Sequence, residues 1–507
     1  MRKYGFIVVI ALFCLLSAGC RDSRSNAGKT GQSDMQETSE QQGKSEGSQT
    51  SEGKAADPSQ ERGVNSSSDP QNSVNQHSDS SKEKVSGSVR VLGMGNQNMH
   101  CLSDTGYYYI TEDSSELKKD FYGRQIMYMD FATKQEVFLC NEPGCKHNDK
   151  NCSAVLTEDE IESIGSALLF VWKDKLYMVS KYPDNEGTVE VNELWADGED
   201  VSVNRRMPTT IYSMGLDGTN RKKEYTFAQD VTIEDMVLCD DEALYFTAKQ
   251  INTSSEKGTT YSTASKRELV RYQPDGMKLE TVCSLEFGDQ IRWHTIGCYD
   301  GKVIVQGTKY NKKLSFQEEM ELGQEEYWEY ANDSSEIFAA LNLADGSLKN
   351  IYSLKNDSDS INSTVMLDDY LYISAEKEGK INKVNLGTGK VEGLVKLKQG
   401  YIAGILSDKL CCQSWNQGED HDNSWYFVDC NTGKVEHSTL VNKRNGWALE
   451  IIGEIGSQVL VIYDYEGKEE EKDTWDISRY QYGLIEKKDL CQGVDRFQKI
   501  AMKGAGK

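Results

Sequence analysis

From residue 89 to residue 507 the chain returns again and again to one local pattern. A short turn with Asp or Gly leads into a Tyr-rich apolar strand; after a gap comes a second strand, then a turn ending in Gly or Thr-Gly, then a last strand. The first strand pair reads Ser103-Asp-Thr-Gly-Tyr-Tyr-Tyr-Ile, Trp172-Lys-Asp-Lys-Leu-Tyr-Met-Val and Asp240-Asp-Glu-Ala-Leu-Tyr-Phe-Thr, and returns from Tyr299, Leu367, Ser407 and Ile455. The second pair reads Ile126-Met-Tyr-Met-Asp-Phe-Ala-Thr-Lys and Trp425-Tyr-Phe-Val-Asp-Cys-Asn-Thr-Gly, with further copies from Ile211, Leu269, Ile337 and Ile381. A seventh copy, from Tyr480, lacks the turn Gly. Seven copies of four strands predict an all-β fold, a β-propeller of seven four-stranded blades, with six or eight as the alternative counts. The shortest copy, 361–398, is close to the ~40–45 residues of a minimal blade. Closing blades into a ring buries both faces of every sheet and leaves only short edges.

The N-terminal part is of a different kind. Arg2 and Lys3 precede an apolar run, 5–16, too short to span a bilayer as a stable helix. Leu16-Ser17-Ala18-Gly19-Cys20 resembles the bacterial lipobox, with Ser17 where Leu is commoner. The resemblance implies cleavage after residue 19 and a diacylglycerol on Cys20, with an added acyl chain such as palmitate. Such lipids are a stable membrane anchor. An ordinary secretory signal and an uncleaved anchor are the alternatives. Residues 21–88 hold 17 Ser and no aromatic, and cannot bury enough apolar surface to offset the entropy of ordering. As a flexible coil such a segment has an r.m.s. span of roughly 45 Å. The chain thus divides into a signal (1–19), a lipidated Cys with a disordered tether (20–88) and a propeller (89–507), placing the protein outside the cytoplasm on the bacterial cell membrane.

Ile211-Tyr-Ser-Met-Gly-Leu-Asp-Gly-Thr-Asn-Arg resembles the strand-turn signature of low-density-lipoprotein-receptor-type propellers and their bacterial relatives. Over nearly its whole length the chain resembles the uncharacterised β-propeller lipoproteins of Firmicutes, with lipobox, Ser-rich tether, blades and a Cys-rich knot after the first blade. It departs from the receptor type in lacking a Tyr-Trp-Thr-Asp tetrad. No activity comes with the resemblance, because a propeller hosts unrelated functions.

With the strands of a blade labelled A to D, the A–B and C–D turns share one face, and the B–C and D–A connections share the other. The long connections are Pro183–Pro208, Gln250–Lys266, Tyr310–Ser335 and Tyr465–Ser478, all B–C, and the D–A crossing Asn141–Ile161. Insertions on one face of a repeat fold mark its working surface. They carry Trp195, Tyr327, Trp328, Tyr330 and Trp475, aromatics suited to a glycan, peptide or protein ligand. The competing reading is that these rings pack their own loops, with 317–330 as a short amphipathic helix.

Eleven cysteines remain once Cys14 leaves with the signal and Cys20 is acylated. Cys140, Cys145, His147 and Cys152 lie within thirteen residues. Disulfide pairing of Cys140 or Cys145 with Cys152 ranks first outside the cytoplasm, a structural zinc site second and free thiols third. The net charge of −24 speaks against nucleic acid as a partner. No nucleophile-elbow, zinc-protease, P-loop or dinucleotide motif occurs, and no catalytic residue or other cofactor is assigned. The expectation is a non-catalytic binding or scaffold module of the cell envelope; the alternative is a hydrolase or lyase of envelope glycan or peptide assembled from several blades.

Limited proteolysis should cut first between Arg21 and Ser88, because a disordered backbone enters a protease and ladder-bonded strands do not. Early cuts spread through 89–507 would contradict a closed ring.

Overall fold

The structure is a computed structural model. It describes residues 88–503 apart from interruptions, the longest of them 191–207 and 414–423. The signal and tether, with Cys20, lie outside the described residues. No described helix is long and apolar enough to cross a membrane.

Seven antiparallel sheets follow one another along the chain, each built on four sequential strands, with one strand added in blade 1 and two in blade 3. Blade 1 comprises His100–Leu102, Gly106–Thr111, Gly123–Asp130 and Gln135–Phe138; blade 2, Ala167–Trp172, Lys175–Ser180, Thr210–Gly215 and Lys222–Thr226. Blade 3 is Val231–Cys239, Leu244–Glu256, Thr259–Gln273 and Lys278–Ser284; blade 4, Arg292–Tyr299, Lys302–Tyr310, Ser334–Leu341 and Leu348–Lys355. Blade 5 is Asn362–Leu367, Tyr370–Ala375, Lys380–Asn385 and Val391–Lys396; blade 6, Tyr401–Leu406, Lys409–Gln413, Trp425–Asp429 and Val435–Ser438. Blade 7 is Glu450–Ile455, Gln458–Glu471, Thr474–Glu486 and Gln498–Lys499. A strands of neighbouring blades touch one another and form the inner wall. The protein is a seven-bladed β-propeller.

The core is divided into seven apolar clusters, one between each pair of adjacent blades. Strand alternation sends successive side chains to opposite interfaces. Cys411 packs toward blade 7 with Leu449 and Val459, and Cys412 toward blade 5 with Tyr372 and Ile381. The repeated turn glycine has a physical reason. Gly218, Gly389 and Gly433 take positive φ, and a Cβ there would lie 2.3–2.6 Å from the carbonyl oxygens of Leu139, Ile351 and Leu394 respectively. The C–D turns of blades 2, 5 and 6 therefore rest on the outer edge of the preceding blade, and only glycine permits that approach. The Thr before it closes the turn: Asn385 Oδ1 accepts from the Thr388 amide and hydroxyl, and Asp429 Oδ1 from those of Thr432.

Blade 7, whose turn lacks Gly, replaces it with the helix Lys487–Cys491 and then reaches across to blade 1. Ala501 exchanges backbone hydrogen bonds with Lys134 and Glu136. The carboxylate of Glu136 accepts from the Lys503 amide at 2.7 Å and from the Tyr109 hydroxyl. Ile500 and Met502 are buried with Tyr107, Met129, Leu460 and Tyr482. This C-terminal clasp closes the ring.

A strand absent from the sequence reading, Arg90–Gly93, pairs antiparallel with the A strand of blade 3 on its inner edge. It touches the A strands of blades 2 and 4. Val91 and Leu92 line a cavity of about 350 Å³ with A-strand residues of blades 1, 2, 3, 6 and 7, among them Leu102, Leu168, Val237, Ile405 and Ile452. The chain thus runs inside the central channel, and its direction is defined. Arg90 pairs with Cys239 beside the A–B turn, where its guanidinium is 3.3 Å from the Asp241 carboxylate, and Gly93 pairs deeper, with Val237. Entry is therefore from the face of the A–B and C–D turns.

Two segments read as loops are strands. The B and C strands of blades 3 and 7 continue past their A strands as hairpins, so that Ile251 pairs with Ala264 and Tyr465 with Tyr480. The sequences Asn252–Glu256 and Glu466–Glu471 carry no alternating apolar stripe, and the ladders extend through them by backbone pairing. Replacing Ile500 by Ala removes a side chain from the closing interface and should cost about 2–4 kcal/mol in denaturant unfolding. Unchanged stability would contradict the clasp.

Candidate metal centre and the long-loop face

The Cys-rich knot is an excursion from the outer strand of blade 1. Gln135–Phe138 pairs with Met127–Asp130, and after the knot Val155–Thr157 pairs with Gly123–Gln125 farther along the same strand. Between them the chain folds back on itself and brings Cys140 Sγ, Cys145 Sγ, a His147 ring nitrogen and Cys152 Sγ within 4.8 Å of one another. His147 sits at φ +54°, and its ring stacks on Phe138 with centroids 4.7 Å apart. That pose sets Nδ1 3.3 Å from Cys152 Sγ. The carbonyl of His147 accepts a 2.6 Å hydrogen bond from the buried amide of Gln125.

Cys145 Sγ also receives a backbone N–H from two residues ahead, that of His147, at 3.4 Å. Burial raises the Cys140 thiol, but the Glu142 amide and the Ser153 hydroxyl outweigh it and hold it below the usual thiol range. Burial pushes Cys152 up to about 12, and burial lowers His147. The described cysteines form no disulfide, so neither pairing of Cys140 or Cys145 with Cys152 is present.

The knot is held at the junction of two blades. Arg221, from the C–D turn of blade 2, donates to the carbonyls of Ser153 and Val155 at 2.7 and 2.8 Å and pairs with Glu160 at 2.8 Å. Asn141 donates to Asp217 of the same turn at 2.8 Å. Lys503 of the clasp lies 4.6 Å over the Phe138 ring.

The expected ligand-binding aromatics are distributed differently. Tyr327, Trp328 and Tyr330 lie on the helix Gln324–Asn332 in the B–C connection of blade 4. Tyr330 is buried and stacks on Tyr310 with centroids 4.5 Å apart and planes 6° from parallel, so it packs the helix onto its own blade. Tyr327 is half-buried. Trp475 lies on the blade 7 hairpin, three blades away. Trp195 is outside the described residues, as are the side chains of Trp328 and Trp475. Part of the blade 2 connection, Gly187–Glu190, adds a strand to the blade 3 hairpin at Thr259–Ser262. Long hairpins and a helix thus crown one face, with tight turns on the other.

A polar cluster near the long-loop end of the inner wall escaped the sequence reading. Glu234 stands in a bulge of the blade 3 A strand, where the register shifts between Ile233 and Val237. His294 Nδ1 of blade 4 lies 3.2 Å from its carboxylate and Arg267 Nε 3.6 Å. Burial alone would raise this carboxyl, but His294, then Lys249 and Arg267, hold it at about 2. These residues come from four strands and two blades, and no spacing in the sequence joins them.

No family model matches the chain, and no curated protein does. Among solved structures it is similar to an oligogalacturonate lyase from Vibrio parahaemolyticus, at 11% identity and a TM-score of 0.36, covering 66% of this chain and 84% of that one. It is also similar to a puromycin-hydrolyzing peptidase from Mycobacterium tuberculosis, at 11% identity and a TM-score of 0.43 over 80% of this chain and 53% of that one. A third likeness is to TolB from Acinetobacter baumannii, at 13% identity and a TM-score of 0.30, over 77% and 78% of the two chains. At these values the likenesses carry no argument about activity.

Because the folded pKa of Glu234 lies below its ordinary 4.5, its contribution to stability is present above that pH and is lost as pH falls toward about 2. The stability difference between the wild type and Glu234→Gln should therefore shrink across that window in acid-unfolding titrations. A difference independent of pH would overturn the assignment.

Proposed function

We propose that this chain is an extracytoplasmic lipoprotein, anchored through Cys20, whose propeller serves as a non-catalytic binding or scaffold module at the cell envelope and works through its long-loop face. The observation that supports this reading is the entry of the chain at Arg90 on the tight-turn face, opposite the hairpins and helix. With the chain joined to the ring at the tight-turn face and lipid on Cys20, the long-loop face is the one opposite the point of attachment. The blade 3 and blade 7 hairpins and the helix Gln324–Asn332 are then presented outward. The partner that suits them is a glycan, peptide or protein met by aromatics of the long connections, Trp195, Tyr327, Trp328 and Trp475. Tyr330, packed on Tyr310, belongs to the support of that surface.

Two arms test the reading. Cys20→Ala should release the folded propeller from membranes, and a variant that remains membrane-bound after signal removal overturns the anchor. For orientation, an epitope is inserted either between Lys257 and Gly258, between the two strands of the blade 3 hairpin, or after Thr388, in a C–D turn, and the tether is shortened by deleting residues 30–80. On protoplasts antibody should still reach the hairpin epitope and lose the turn epitope. The reverse pattern contradicts the assignment of faces.

A further inference from the structure

We propose that Cys140, Cys145, His147 and Cys152 hold one zinc ion in a closed tetrahedral site of three thiolates and an imidazole, and that this ion locks the blade 1–blade 2 junction. The distances fit. Zinc with sulfur at about 2.3 Å and nitrogen at about 2.0–2.1 Å puts its ligand atoms roughly 3.4–3.8 Å apart. The four ligand atoms here already lie within 4.8 Å of one another, the His147 Nδ1 to Cys152 Sγ pair at 3.3 Å.

The surrounding groups favour metal over the alternatives. The His147 amide donates to Cys145 Sγ at 3.4 Å, within the turn that carries two of the ligands. A disulfide would use two of the three thiols, need an oxidant, and leave the third thiol and the imidazole without a role. The imidazole is fixed for ligation by its stack on Phe138, and its loop by the buried Gln125 amide on the His147 carbonyl. Ligands supported by a second layer of contacts are the pattern of metal centres. Three sulfurs and one nitrogen suit zinc, whereas oxygen-seeking cations find no carboxylate among the four ligands.

On binding, any thiol still protonated gives its proton to solvent, and three thiolates, a neutral imidazole and Zn²⁺ leave a net charge of −1. The Lys503 side chain over Phe138 lies beside that charge. Four protein ligands leave no open position for a substrate, so the role is structural. Arg221 and Asn141 tie the same loop to blade 2, and Lys503 brings the C-terminal clasp to it. The ion therefore cross-links the place where ring closure and the first blade junction meet.

The test uses the full chain purified in detergent without reductant or added metal. Elemental analysis should find one zinc per chain. Chelation should lower the melting temperature, and zinc should restore it. Cobalt(II) added to the stripped protein should give the intense thiolate-to-cobalt absorption and the visible bands of a tetrahedral site. Cys152→Ser and His147→Ala should each lower zinc content. Should a variant fail to fold, the wild-type metal content and cobalt spectrum decide on their own. Metal-free protein that takes up no zinc overturns the proposal, whether two of these thiols have been lost to a disulfide or all three react with an alkylating agent.

Discussion

Everything in this molecule depends on apolar contact between adjacent blades. A four-stranded sheet with two apolar faces has no stable existence alone, and here each face finds a partner only because the blades close into a ring. Seven clusters occupy the seven junctions, and the cluster between blades 7 and 1 is formed by residues more than three hundred positions apart. That junction cannot rely on chain continuity. It is reinforced by the C-terminal clasp, in which Ala501 joins the outer strand of blade 1 and Glu136 accepts hydrogen bonds from both Tyr109 and the Lys503 amide. Burial raises the Glu136 carboxyl even against those donors, which is what desolvation at a closed seam produces.

The same need for close packing explains the local motifs. Turn glycines let the C–D turns of blades 2, 5 and 6 rest on carbonyls of the preceding blade, and on the inner wall Gly453 lies against the Leu102 side chain, 2.2 Å from where a Cβ would stand. The Cys/His knot sits at such a contact: Gly218 packs on Leu139, immediately before Cys140, and Arg221 from the same turn caps the far side of the knot. The two faces are asymmetric for the same reason. Tight turns on one face do packing work, and the opposite face is free to carry insertions.

The strands and their order were legible because buried sheets write an alternating apolar pattern into the sequence and the turns punctuate it with Asp, Thr and Gly. The knot was legible as a set of ligand types close in sequence, but the choice of chemistry was not, since spacing alone does not say where four side chains point. The channel strand Arg90–Gly93 was invisible: a four-residue strand pairs with one 144–149 positions away, and nothing local marks it. The hairpins past Gln250 and Tyr465 were read as loops because their polar sequences lack a buried face. Glu234 and His294 were hidden for another reason. Each looks ordinary in its own strand, and only the ring brings them together.

The channel strand fixes the face from which the chain enters the ring, that of the A–B and C–D turns. Amide hydrogen exchange, read by mass spectrometry on peptides covering 88–93, tests it directly. Protection of Arg90–Gly93 comparable to that of its partner Val237–Cys239 is the result predicted. Exchange there as fast as in an unstructured peptide, with Val237–Cys239 still protected, would place the strand outside the channel and contradict the account.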